Sequence, residues 1–142
     1  MGLLDRFKKS PKRNKDTGNF IERYWKSFNH AIDGIIYGIR YEHNMIIILL
    51  ATIVVTVAGF YYQINNYEWL FIITICGLIA ACEMINSSIE ATIDLITTNY
   101  SPLAKIAKDT ASAASLILCI TALIGGIIIF VPKIFLLGVI LW

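Results

Sequence analysis

The chain has 142 residues, of which 57% are hydrophobic and only 15% charged. Ordinary soluble domains carry about 25% charged residues, and here the apolar residues also fall in long runs, so a water-soluble enzyme or binding module is excluded. The net charge is only +2, but nine of the 12 Lys and Arg stand before residue 45. That bias suits contact with anionic headgroups and a cytoplasmic N-terminus; with no recognition motif beside it, it does not point to nucleic acid.

Residues 1–19 are basic and polar, with Pro11 and Gly18 among them, and read as a cytoplasmic tail. They lack the apolar core of a cleavable signal, and Arg6 stands where myristoylation needs Ser or Thr. Over 20–42, Phe20, Ile21, Tyr24, Trp25, Phe28, Ala31, Ile32, Ile35, Ile36 and Ile39 recur at steps of three and four. Glu22, Arg23, Lys26, Asn29, His30 and Asp33 take the other face. This predicts an amphipathic helix lying in the membrane surface. The alternative, a core helix of a soluble bundle, has too little soluble chain to pack against.

Residues 45–63 contain no charge and are long enough to cross a hydrocarbon core, with Tyr61 and Tyr62 at the far interface. A short turn over 64–68 leads to a second apolar run, a span of about 69–88, whose helical pattern continues into an acidic segment. The stretch 97–102 breaks the pattern, and Ser101 with Pro102 behind it reads as a helix start. The next helix carries Lys105, Lys108 and Asp109 and spans at 111–131, closed by Pro132 and Lys133. Residues 133–142 either extend that helix or lie at the interface. Cys76, Cys82 and Cys119 sit inside apolar runs without metal-ligand spacing and read as packing residues.

Glu83, Asn86, Glu90 and Asp94 stand at offsets 0, 3, 7 and 11, within an arc of about 80° on one helical face. Carboxylates at the bilayer centre cost about 2.5–3.5 kcal/mol each, unless a cation, a partner charge or water meets them. A row of oxygen ligands suits Mg²⁺; Lys108 suits a phosphate, and Asp109 adds another oxygen. The plain alternative is a solvated helix end whose acids pair with Lys105 and Lys108. The glycosylation-like triplets starting at Asn86 and Asn99 face the cytoplasmic side and carry nothing. Periodicity alone thus gives an acidic site near the inner face of a helical membrane protein.

The segment 83–94, reading EMINSSIEATID, and the segment 100–109, reading YSPLAKIAKD, closely resemble the signatures of the prokaryotic diacylglycerol kinase and undecaprenol kinase family. Phe28, Ala31, Gly34, Glu42 and Asn44 follow in the order that family shows before its first span. The resemblance covers roughly residues 20–132. It implies an all-α integral membrane protein with an N-terminal surface helix and three transmembrane helices, in which 20–142 is the lipid kinase domain. It also implies homotrimers with active sites shared between subunits, and Mg²⁺ with ATP as co-substrate without a P-loop or a protein-kinase motif. Neither motif occurs here.

By that resemblance Glu83 matches the general base that takes the lipid hydroxyl's proton. Glu42 and Glu90 match the carboxylates that hold metal and nucleotide. Asn86 and Asp94 match supporting positions; Lys108 and Asp109 match the nucleotide-contacting pair; Asn99 and Tyr100 fall where the family's loop nears the nucleotide. Ser112 matches a lipid-side position, and Arg23 a contact to nucleotide or headgroup. The phrase SPLAKIAKD is similar to the Gram-positive branch, whose substrate is undecaprenol, although that branch often has His where Ser101 stands. The expected function is therefore phosphorylation of a lipid hydroxyl in the bacterial cell membrane, most simply of undecaprenol, with diacylglycerol as the alternative. A small non-enzymatic transporter is a more distant reading, and it leaves the joint occurrence of Glu42, the acidic face and Lys108-Asp109 unexplained.

Overall fold

The computed structural model describes residues 19–140, with side chains described to 136. The basic tail expected over 1–19 therefore lies almost wholly outside the described residues. Four helices follow one another: α1 (Phe20–Tyr41), α2 (His43–Tyr61), α3 (Asn66–Ile96) and α4 (Pro102–Ile140). The chain forms two compact units, residues 1–34 and residues 35–142, and α1 runs through the boundary.

Within the first unit, the apolar stripe of α1 is uncovered. Phe20, Tyr24, Trp25 and Phe28 are all exposed, with Trp25 and Phe28 stacked edge to face at 6.0 Å. On the polar side, Lys26 and Glu22 form an ion pair at 3.2 Å. An apolar face of this kind, rich in Trp and Phe, is what an interfacial helix buries in the headgroup boundary.

In the second unit, α2, α3 and α4 are each long and apolar enough to cross a membrane. Few side chains are buried: Met45, Ile64, Ile72, Ile75, Ile79 and Ile129 make up the apolar interior. The remaining apolar surface faces outward, as it must when lipid is the solvent. The small core of Ile64, Ile72 and Ile129 is walled by Val55, Tyr62, Trp69, Phe71 and Phe130. Phe71 lies over Gly125 so closely that its ring fills the space where a side chain at 125 would start, which is how small residues bring membrane helices together.

The uncharged reversal after α2 is built by backbone hydrogen bonds. Ile64 N–H donates to Gly59 O at 3.1 Å and Gln63 N–H to Phe60 O at 3.3 Å, and Gln63 takes the left-handed conformation at φ 49°. This is a Schellman termination, usually closed by Gly. A reciprocal capping box then starts α3: Asn65 Oδ1 accepts from Tyr67 and Glu68 N–H, and Glu68 accepts from Asn65 N–H at 2.7 Å. Glu68 also pairs with Lys133 of α4 at 3.1 Å.

α3 runs on through the acidic segment to Ile96, about 46 Å at 1.5 Å per residue, well beyond a hydrocarbon core of about 30 Å. α4 passes through Pro132, the expected close of the span, and continues to Ile140. Proline removes one backbone hydrogen bond, but in an apolar medium unwinding would strand many more, so the helix persists and 133–140 extend it.

Candidate active site

The buried face of α3 consists of Ile72, Ile75, Ile79, Glu83 and Asn86, at helical steps of three and four. Its apolar part borders a cleft of about 290 Å³ lined by residues of α2, α3 and α4, including Ile47, Ile75, Ile79 and Cys119. Glu83 stands one turn beyond Ile79, so the first carboxylate begins where the apolar stripe stops. Glu83 is only 5% exposed and Asn86 6%.

A carboxylate this deep needs donors. Asn44, in the first turn of α2, supplies one: its Nδ2 donates to Glu83 Oε1 at 2.7 Å. The approach depends on the junction between α1 and α2, where Glu42 alone leaves the helical conformation (φ −97°, ψ 114°). There Gly38 is buried, and a Cβ on it would lie 2.5 Å from Met84 Sδ and 3.7 Å from Met45 Cγ.

From Asn86 a second polar chain runs outward. Ser112 Oγ of α4 lies 3.4 Å from Asn86 Oδ1, and Asn86 Nδ2 donates to Glu90 Oε1 at 3.2 Å. One turn further, Lys108 Nζ of α4 meets Asp94 Oδ1 at 2.5 Å, and Lys105 pairs with Asp109 at 2.5 Å. These four charged side chains, with Asn99 and Tyr100, line a cleft of about 400 Å³ under the α3–α4 loop. In that loop Asn99 N–H donates to Thr97 Oγ1 at 3.2 Å, while Tyr100 is exposed.

Thus Asn86, Glu90, Ser112, Asp94 and Lys108 fall along the α3–α4 seam, while Glu83 meets Asn44 of α2. The solvated-helix-end alternative describes Asp94 with Lys108 correctly, but not the buried Glu83. Glu42 is half-buried at the N-cap of α2, where its side chain makes no capping hydrogen bond. Arg23 lies in the first unit, exposed on α1 beside Phe20, Tyr24 and Ser27. Asn44 has no assigned role in the sequence reading; its position two residues after Glu42 was the available signal. Ser115 is likewise buried unforeseen, with Oγ 3.6 Å from Cys82 Sγ.

Among the described residues no three His, Cys, Asp or Glu side chains converge as a dedicated metal cage. Mg²⁺ rarely asks for one, since it takes one or two carboxylates and completes its shell with phosphate and water. The oxygen-only donors Glu42 and Glu90 fit that mode.

Known proteins resemble this chain over most of its length. The prokaryotic diacylglycerol kinase family matches residues 29–130. The chain is 38% identical to an undecaprenol kinase of Bacillus subtilis over 120 residues, 84% of this chain and 98% of that one. It is 45% identical to a diacylglycerol kinase of Helicobacter pylori over 71 residues, half of this chain and 55% of that one. To a diacylglycerol kinase of Pseudomonas aeruginosa it is 29% identical over 97 residues, 68% of this chain and 79% of that one. Over most of its length, therefore, the chain belongs to the prokaryotic diacylglycerol kinase family and is a membrane lipid kinase that uses ATP as co-substrate.

Proposed function

We propose that the chain transfers the γ-phosphoryl group of ATP to the terminal hydroxyl of undecaprenol, with Glu83 as general base. The observation that carries this is the burial of Glu83 at the end of the Ile72–Ile75–Ile79 stripe. A lipid tail lying along the apolar cleft brings its hydroxyl to that height. The choice of undecaprenol is supported by the relative that matches nearly end to end and bears that name; diacylglycerol is the second reading, supported by the names of the shorter matches.

In the proposed step the lipid oxygen attacks the γ-phosphorus, its proton passes to Glu83, and the bond to the β–γ bridging oxygen breaks to release ADP. Such transfer needs positioning and charge neutralisation above all. Lys108 and Asp109, with Asn99 and Tyr100, contact the nucleotide; Lys108 leaves Asp94 to meet phosphate oxygens. Glu42 and Glu90 would hold Mg²⁺, with Asn86 keeping Glu90 oriented; bound there, the ion would offset negative charge on the phosphates. Ser112 lines the lipid side.

The chain sits in the bacterial cell membrane with its N-terminus cytoplasmic, as its basic start favours. It works as a homotrimer whose sites are shared between subunits. Phosphate transfer from labelled ATP in micelles, offering undecaprenol and diacylglycerol separately, tests the reading. Label on undecaprenol that falls at least about a hundredfold in Glu83→Gln supports it. Label mainly on diacylglycerol overturns the substrate, and full activity of Glu83→Gln overturns the base.

A further inference from the structure

We infer that Asn44 is a positioning residue for the phosphoryl transfer, holding the Glu83 carboxylate in register for the lipid hydroxyl. The inference rests on Glu83 being the base. It is carried by the 2.7 Å hydrogen bond from Asn44 Nδ2 to Glu83 Oε1, a contact between residues 39 apart in sequence.

The chemistry requires such a partner. A general base must present one carboxylate oxygen to the incoming hydroxyl, and its plane must not rotate. Glu is long, and at 5% exposure water cannot hold it. The amide of Asn44 fixes Oε1 and leaves Oε2 to accept the proton.

The backbone holds Asn44 in place independently of that bond. Glu42 ends the α1 conformation and caps α2, so Asn44 is the second residue of the new helix. Met45, its neighbour, is buried at 7% exposure, and the Gly38 surface it approaches is also occupied by Met84, the residue after Glu83. The junction is clamped on both sides of the hydrogen bond.

The test compares Asn44→Ala and Asn44→Leu with Glu83→Gln in the labelled-ATP assay, measuring kcat and KM for ATP and for the lipid separately. Asn44→Ala is expected to lower kcat by about ten- to a hundredfold, the range for a lost hydrogen bond to a charged group, with KM for ATP unchanged. Asn44→Leu has nearly the same volume, carries no donor and sets no second charge against Glu83. It should lose at least as much kcat as the alanine variant, with the thermal midpoint in detergent recorded beside it. Wild-type kcat in either variant, or a loss appearing only in KM for ATP, overturns the positioning role. A fully active Glu83→Gln instead overturns the base assignment on which it rests, so the two failures are distinguishable.

Discussion

Lys108 of α4 reaches across to Asp94 of α3, its Nζ 2.5 Å from Oδ1, while the two side chains remain 35% and 65% exposed. Such exposed pairs contribute at most about 1 kcal/mol to stability. Lys108→Met is therefore expected to leave the thermal midpoint in detergent nearly unchanged. If the ammonium serves the nucleotide, the same variant raises KM for ATP about tenfold or more, since a charge-assisted phosphate contact is lost. A large fall in melting temperature with normal KM would assign Lys108 to structure instead.

Glu42 and Glu90 are expected to set the Mg²⁺ requirement. Glu90→Gln should shift the Mg²⁺ activation curve to concentrations about tenfold higher or more, given that even supporting residues of metal sites change affinity by about 10–100-fold. Glu42→Gln should do the same. Mixing Glu83→Gln chains with Glu42→Gln chains before assembly tests shared sites: recovered activity requires that one site draw on two subunits, and no recovery confines each site to one chain.

Gly125 makes a prediction about stability alone. A side chain there meets the Phe71 ring, and overpacking of this kind costs about 1–3 kcal/mol. Gly125→Val is expected to lower the thermal midpoint in micelles without changing KM for ATP. Gly38 differs because its neighbour Met84 adjoins Glu83. There Ala is accommodated by a shift of the flexible thioether, whereas Gly38→Leu is expected to reduce kcat together with stability.

Gln63 closes α2 in a conformation that costs non-glycine residues about 1–2 kcal/mol. Part of that is returned by the greater unfolded-state freedom of glycine. Gln63→Gly should therefore stabilise the protein by no more than about 1 kcal/mol, and Gln63→Val should destabilise it, both read from thermal melts in one detergent.

What the sequence made legible follows from what is local. The surface helix and the alignment of Glu83, Asn86, Glu90 and Asp94 rest on a period of 3.6 residues, and the three spans on the length of apolar runs, both of which a single chain displays. The resemblance to a family added roles for those positions. Contacts between helices were not legible in the same way: nothing near Asn44 announces Glu83, and nothing near Phe71 announces Gly125. Pro132 left the conformation of the following residues open because the rule that proline ends helices assumes that water can satisfy the freed carbonyl. Gln63 was hidden because its left-handed turn is normally marked by glycine.

The length of α3 has a consequence for how the enzyme reads its membrane. The helix is pinned at one end by Asn65, Glu68 and Lys133, and Glu83 lies fifteen residues further on, about 22 Å along the axis. The height of Glu83 is thus measured from the opposite leaflet, as with a depth gauge whose flange rests on the far surface. With Glu83 as the proposed base, membrane thickness would enter the reaction directly: bilayers of longer acyl chains would draw the carboxylate deeper into hydrocarbon, and shorter ones lift it toward water. Activity in bilayers of graded thickness should then pass through an optimum that Glu68→Gln, by loosening the flange, makes broader.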